Sequence, residues 1–295
     1  MTERATERAT ERSPGTLYVV ATPIGNLGDV TLRSLEVLRA VPLIAAEDTR
    51  HTRRLLARHA IDTPMTSYHA RSEPARAAAL LAHLREGADL ALVTDAGTPA
   101  VSDPGGELVA AWATEGGTVV PIPGPSAVLA AVAATGLAGP RWAFEGFLPR
   151  SGRDRRERLA RIADDERGTL LFEAPGRVAA TLRDLAAACG RDRPGAVCRE
   201  LTKIHESVVR GPLGELAEAA ESGTIPPRGE FVLVVGAWSG GAPTAARDDA
   251  TALEAARAEV EALVRGGVAR GDAARRVAAA TGLPRRGLYG HDTLR

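Results

Sequence analysis

The sequence predicts an α/β protein: two successive α/β subdomains followed by a small C-terminal helical module. Three observations carry this expectation. Short apolar runs alternate with helical stripes from Leu17 onward. Gly136 to Pro140 interrupts that alternation, and a second series begins. After a Gly/Pro/Ala-rich stretch from Trp238 to Arg247, only helical patterns remain. The 295 residues exceed a typical single domain, and an apolar share of 44% is enough for buried cores. The expected divisions are a disordered tail over 1–16, subdomains over 17–139 and 140–237, a linker over 238–250 and the helical module over 251–295.

Each element follows from its pattern. The opening residues repeat Thr-Glu-Arg-Ala with nothing to bury, which reads as a tail and not as a secretory signal. Leu17 to Ala21 is an apolar run stopped by Thr22-Pro23-Ile24-Gly25-Asn26, hence a buried strand entering a loop. Leu32, Leu35 and Leu38 form a helical stripe. Leu43 to Ala46 reads as a strand, Thr52 to His59 and Arg76 to Glu86 as helices, and Leu90 to Thr94 as a second buried strand. Asp95-Ala96-Gly97-Thr98-Pro99 then leads to a helix through Trp112. Thr118 to Ile122 is a strand, Pro123-Gly124-Pro125-Ser126 a turn and Ala127 to Thr135 a helix. Such alternation implies a mainly parallel sheet with helices packed on it. In the second series, Trp142 to Leu148, Thr169 to Phe172, Ala196 to His205 and Glu230 to Val235 read as strands. Asp154 to Ile162, Val178 to Ala188 and Leu213 to Glu221 read as helices. The tail holds helices at Leu253 to Val264, Asp272 to Ala280 and near Arg285, with a helix-turn-helix-like turn at Thr281-Gly282-Leu283-Pro284.

Composition excludes several classes of function. Aromatics at 3% are too few for a single-strand binder built on stacking platforms. A formal net charge of zero requires any nucleic-acid contact to come from a local patch. Cys189 and Cys198 are too few for a disulfide framework or a cysteine zinc site, and cytoplasmic residence is expected. His51, His59, His69 and His83 are scattered, so no metal is expected. The most apolar stretch, Ala127 to Leu137, falls far short of the roughly 20 residues of a membrane span, so no membrane is expected either.

Two features point toward chemistry. Three strands of the first subdomain run into Gly/Pro loops and then helices, and open parallel sheets bind ligands at the carboxyl ends of their strands. Gly97 and Gly124 would let backbone approach a ligand, while Asp95 and Asp103 suit ribose hydroxyls or a positive charge better than phosphate. The same loops are also compatible with plain βα turns, but three in one domain favour a site. No dinucleotide or nucleoside-triphosphate loop motif is present. The second feature is Lys203, the one lysine among 37 Lys and Arg residues, in Cys198-Arg199-Glu200-Leu201-Thr202-Lys203-Ile204-His205-Glu206. As a strand, this segment would put Arg199, Lys203 and His205 on one face, suited to gripping a phosphate or polarising a hydroxyl. A solvated edge strand fits the pattern as well. Arginines are densest from Arg150 to Arg161, offset in part by Asp154 and Glu157, with a smaller group at Arg275, Arg276, Arg285 and Arg286.

Seven segments together resemble the tetrapyrrole-methylase-type methyltransferases. They are Thr22 to Asp29, Ala46 to Arg50, Asp95 to Pro99 with Ser102 to Gly105, Pro123 to Ala127, Phe144 to Pro149, Arg199 to Glu206, and Gly229 to Val232. Their order and wording are similar to the branch that methylates the ribose 2′-hydroxyl of a cytidine in small-subunit ribosomal RNA. The resemblance spans about Leu17 to Val235 and implies S-adenosylmethionine as methyl donor, a donor-binding cleft between the two subdomains, and a homodimer. It implies donor contacts at Pro23, Gly25, Asp95, Gly97, Thr98, Pro99, Ser102, Asp103, Pro104, Pro123, Gly124, Ser126 and Ala127, with Phe172, Glu173 and Ala174 closing over them. Lys203, Arg199, Glu200 and His205 are the candidate catalytic group. Arg50, Arg155, Arg156, Arg158 and Arg177 are candidates for substrate binding. The family's usual histidine after Pro175 is Gly176 here. The partner implied is small-subunit ribosomal RNA or the small ribosomal subunit. A tetrapyrrole or other small-molecule methyltransferase, and a non-catalytic RNA-binding ribosome-assembly factor, are the alternatives.

Overall fold

A computed structural model describes residues 13–70, 74–237, 244–281, 283 and 287–288. In chain order its elements begin with strand β1 (Thr16–Val20), helix α1 (Leu32–Ala40), β2 (Leu43–Ala46), α2 (Thr49–Arg58), β3 (Met65–Ser67) and α3 (Pro74–Arg85). There follow β4 (Leu90–Val93), α4 (Gly106–Thr114), β5 (Thr118–Ile122) and α5 (Ala127–Thr135). These strands form one sheet in the order β3-β2-β4-β1-β5, parallel throughout. Its inner strands β2 and β4 are buried almost throughout, as their unbroken apolar runs require, while the edge strands β3 and β5 are only partly covered. On one face Leu35 and Leu38 of α1 and Leu55 and Leu56 of α2 pack on Val20, Ile44, Ala91 and Val93. On the other, Leu80 and Leu84 of α3 and Leu108 and Trp112 of α4 pack on Leu17, Ala45, Leu90 and Leu92. Strand alternation therefore divides neighbours in sequence between two cores.

The second series comprises β6 (Trp142–Phe147), α6 (Gly152–Asp164), β7 (Gly168–Glu173), α7 (Val178–Cys189), β8 (Pro194–Arg199), β9 (Ser207–Pro212), α8 (Leu213–Glu221) and β10 (Phe231–Val235). Its sheet order is β6-β7-β10-β8-β9, parallel only between β6 and β7 and antiparallel elsewhere. β10, an apolar run with every residue buried, lies at its centre. Helices α6, α7 and α8 cover one face of this sheet. The other face meets α5: Val128 and Ala131, with Ile24, pack against Leu170, Ala196, Cys198, Val232 and Val234. One helix of the first series thus supplies the inner cover of the second sheet.

Three expectations need correction. The strand expected over Ala196 to His205 ends at Arg199, because Glu200 and Thr202 adopt left-handed φ angles of 53° and 68°. The chain turns there and returns as β9, with Arg199 opposite Ser207. The edge strands β3 and β9 were not expected. The linker expected through residue 250 is instead helical from Thr244: α9 (Thr244–Arg265) pairs with α10 (Arg270–Thr281) through Ala256, Val260, Ala273, Ala274 and Val277. Gly282 and Pro284 of the anticipated helix-turn-helix-like turn, Arg285 and Arg286 of the helix expected after it, and residues 1–12 lie outside the described residues. Among the described residues, no helix is long and apolar enough to cross a membrane.

Candidate active site

The loops after β1, β4 and β5 leave the same edge of the parallel sheet, where an α/β fold leaves room for a ligand. β1 and β4 are neighbours, and their loops are stitched together. The Thr22 amide donates to the Gly97 carbonyl at 2.9 Å, and the Gly97 amide donates back at 3.0 Å. Gly97 needs to be glycine here, since its φ is +76°. Ala100 and Ser102 also hold positive φ, 69° and 65°. Such strained positions cost about 1–3 kcal/mol each and cluster at ligand clamps.

Two cavities flank these loops. The first encloses about 370 Å³, within the size range of small-molecule clefts. The parallel-sheet side contributes Ile24, Gly97, Thr98, Ser102, Asp103, Ser126 and Ala127. The second sheet contributes Phe147, Phe172, Glu173, Ala174, Cys198, Leu201 and Gly229 to Val232. Its walls are mainly apolar, with Phe172 packed edge-on against Phe144 at 4.9 Å. Glu173 brings backbone rather than charge, since its carboxylate is buried and accepts from Thr181 at 2.6 Å and pairs with Arg177 at 3.3 Å. Asp103 is the notable ionisable group. Burial raises its pKa to about 6, and repulsion from Glu47 and Asp95 adds to the rise.

The second cavity, about 360 Å³, lies against α2. Thr22, Pro23, Gly25 and Asp95 line it from the same two loops, His51, Thr52, Arg54 and Leu55 from α2, and Lys203 from the turn after β8. The loops divide residue by residue: Pro23 and Gly25 face this cavity while Ile24 faces the first, and Asp95 faces it while Ala96 and Gly97 face the first. Lys203 runs across Gly25, where an added Cβ would lie 2.4 Å from its Cγ. Its Nζ donates to Glu200 at 2.9 Å and lies 3.0 Å from Glu230. Partial burial lowers the ammonium's pKa, but the hydrogen bonds to Glu200 and Glu230 outweigh it, and the net shift is upward. Glu200 moves down in turn, chiefly through its hydrogen bond to Lys203. The pair therefore rests as ammonium and carboxylate. Gly229, at φ +93°, leaves room for Glu200, which a Cβ there would approach to 2.6 Å.

The sequence-predicted residues divide accordingly. Gly97, Thr98, Ser102, Asp103, Ser126, Ala127, Phe172, Glu173 and Ala174 line the first cavity, whereas Pro23, Gly25, Asp95 and Lys203 line the second. Pro99, Pro104, Pro123 and Gly124 line neither. A Cβ at Gly124 would come within 3.0 Å of Ala21. Arg199 and His205 do not share a face with Lys203. The Arg199 side chain is buried and donates to the Arg228 and His205 carbonyls, and His205 is exposed. Arg155, expected to meet substrate, is 8% exposed and bound to Asp184, Thr181 and the Pro149 carbonyl. Arg158 donates to the Glu145 carbonyl and Arg177 to the Leu148 carbonyl, while Arg50 and Arg156 are exposed. Sequence reasoning missed Arg54, Thr52 and His51. The available signal was a helix carrying four arginines and no acid.

The model of the family described as Tetrapyrrole (Corrin/Porphyrin) Methylases matches residues 16–217. A protein named ribosomal RNA small subunit methyltransferase I from a Synechocystis species is 47% identical over 276 residues, covering 93% of this chain and 96% of its own. A Xylella fastidiosa protein of the same name is 44% identical over 278 residues, covering 94% and 99%. Among solved structures, a cobalt precorrin-4 methyltransferase superposes with a TM-score of 0.58 at 20% identity, over 75% of this chain and 94% of that one. A uroporphyrin-III C-methyltransferase from Thermus thermophilus, in complex with S-adenosylhomocysteine, gives 0.54 at 21% identity, over 75% and 97%. At such identities these structures share the fold.

Proposed function

This chain belongs to the tetrapyrrole (corrin/porphyrin) methylase family, and we propose that it transfers the methyl group of S-adenosylmethionine to the ribose 2′-hydroxyl of a cytidine in small-subunit ribosomal RNA. The observation that carries this reading is the pair of cavities on shared loops: one apolar and ligand-sized, the other presenting a lysine ammonium. The relatives' names supply the substrate, at identities about twice those of the tetrapyrrole enzymes.

The first cavity fits the donor. Its apolar walls suit an adenine ring, and Asp103 suits a ribose hydroxyl or a cationic sulfur. Gly97, Thr98, Ser102, Ser126 and Ala127 would hold it from one side and Phe172 to Ala174 from the other. When bound, S-adenosylmethionine supplies an electrophilic methyl group, the C–S bonding pair staying on sulfur as the new O–C bond forms. The chain's part is mainly positioning and charge. A ribose hydroxyl is a poor nucleophile whose developing negative charge needs a cation. Lys203 acts as that cation, donating to the 2′-oxygen, because Glu200 and Glu230 keep it protonated. Asp95, the carboxylate of the same cavity, accepts the hydroxyl proton. The same reading carries a homodimer and cytoplasmic residence, where ribosomal subunits are found.

The test uses small ribosomal subunits from cells lacking this modification, incubated with the chain and methyl-labelled donor. Label is expected at a cytidine 2′-oxygen, identified by mass after nuclease digestion, and none on porphyrin precursors. Label on the precursors and none on the subunits overturns the reading.

A further inference from the structure

We propose that the arginine face of α2 and the cavity behind it form the acceptor site: phosphates of single-stranded RNA run along the helix, and the target nucleotide enters beside Lys203. This rests on the functional reading above and adds the surface that recognises the substrate.

Four observations converge. First, α2 carries Arg50, Arg53, Arg54 and Arg58 and no acidic residue within the helix. These positions fall at i, i+3, i+4 and i+8, one stripe of the helix, and all four are exposed, while Thr52, Leu55 and Leu56 face the core. Second, the charge is available. Arg53, Arg54 and Arg58 form no ion pair among the described residues, and Arg50 pairs only with its neighbour Asp48 at the surface, where water weakens such contacts. Helix α6 offers the contrast: five arginines against Asp154, Glu157 and Asp164, with Arg155 turned inward. In a chain of zero net charge, α2 is the less compensated of the two.

Third, the stripe ends in a cavity and not on a flat surface. Arg54, at its middle, lines the same space as Lys203 and Asp95. Fourth, a residue that lines that space carries an unmet polar group among the described residues. Thr52 lines it and is 3% exposed, yet its hydroxyl has no hydrogen-bond partner. An orphaned buried hydroxyl costs about 1–3 kcal/mol, and a bound ligand is one way to supply the missing partner. A nucleotide's hydroxyls and base edges provide such partners.

The experiment compares the full-length chain with an Arg53→Ala/Arg54→Ala/Arg58→Ala variant and a matched Arg153→Ala/Arg156→Ala/Arg161→Ala variant on α6. Affinity for unmodified small subunits is measured across a salt series, with donor affinity by calorimetry and folding by thermal melting. The α2 variant is expected to bind RNA at least tenfold more weakly and to flatten the log–log salt slope by about 2, at roughly 0.7 for each phosphate no longer neutralised. Its donor affinity and melting should match the wild type, and the α6 variant should lose less. Thr52→Val is the second measure: KM for the subunit rises severalfold, while the free protein is at least as stable. A wild type that binds subunits alongside an unimpaired α2 variant overturns this site alone. A wild type that neither binds nor methylates them overturns the functional reading and the site with it.

Discussion

The two cavities share loops and nearly share a volume, but they are built from opposite materials. The first lies between the sheets, draws on both, and is walled by Phe147, Phe172, Val128 and Leu201, with Asp103 among its lining residues. The second belongs to the parallel-sheet half except for one visitor, Lys203, and its rim is basic. The difference teaches how a single pair of loops lines two separate cavities. Alternating residues point to opposite sides, so Pro23, Gly25 and Asp95 can serve one cavity while Ile24, Ala96 and Gly97 serve the other. It also predicts that the two halves of the chemistry can be damaged separately.

The sharpest separation should come at Lys203. Arginine keeps the charge but replaces a compact ammonium with a planar fork that does not fit the same pair of carboxylates over Gly25. Lys203→Arg is expected to lose about 100-fold or more in single-turnover methylation, as for loss of one transition-state donor, with donor affinity within about twofold. Near-normal turnover would merge the roles of arginine and lysine and break the comparison.

A smaller loss is expected at Gly25, which touches the second cavity without carrying charge. Its Cβ would meet Lys203 Cγ at 2.4 Å, so the lysine must take another path. Gly25→Ala should lower turnover about tenfold through Lys203 displacement, a partial shift, since a full misplacement of about 1 Å can cost about 100-fold. Titrating the donor should show no change in its affinity.

The mildest effect is confined to the first cavity and is read by pH. Asp103's carboxyl is pushed to about 6, first by burial and then by Glu47 and Asp95. A cationic sulfur beside it favours the ionised form, so donor binding releases a proton wherever Asp103 is protonated beforehand. Affinity for S-adenosylmethionine should therefore fall as pH drops below about 6, by at most tenfold per unit. In the free protein the sign is reversed. A raised carboxyl contributes stability that is full below its ordinary 3.8 and lost as pH rises through about 6. Asp103→Asn should flatten both dependences, and calorimetry with the neutral product S-adenosylhomocysteine should show a weaker slope than the sulfonium.

Much of this was legible in the chain. Periodicity located most elements, because strands buried on both faces must read as apolar runs and covering helices must carry a stripe. Wording located the Gly/Pro loops at the strand ends, and Gly97 holds a positive φ there. Charge was harder to read. Arg155, Arg156 and Arg158 look alike in sequence, yet one is tied inside to Asp184 and Thr181, one is exposed, and one donates to the Glu145 carbonyl. Arg155→Ala should cost about 2–3 kcal/mol in denaturant unfolding by stranding those partners, whereas Arg156→Ala should stay within about 0.5 kcal/mol.

By itself, then, the sequence determined the two α/β layers, the Gly/Pro loops that line the first cavity, and the singularity of Lys203. These are consequences of local periodicity, backbone permission and residue chemistry, which act over a few residues. Only the tertiary structure decided which arginines meet water, that Lys203 lies over Gly25 and not beside Arg199 and His205, and that α2 walls its cavity. Those outcomes depend on partners far apart in the chain, such as Glu230 for Lys203 and Asp184 for Arg155. A buried cation is set by the groups that surround it, and that surrounding exists only once the chain has folded.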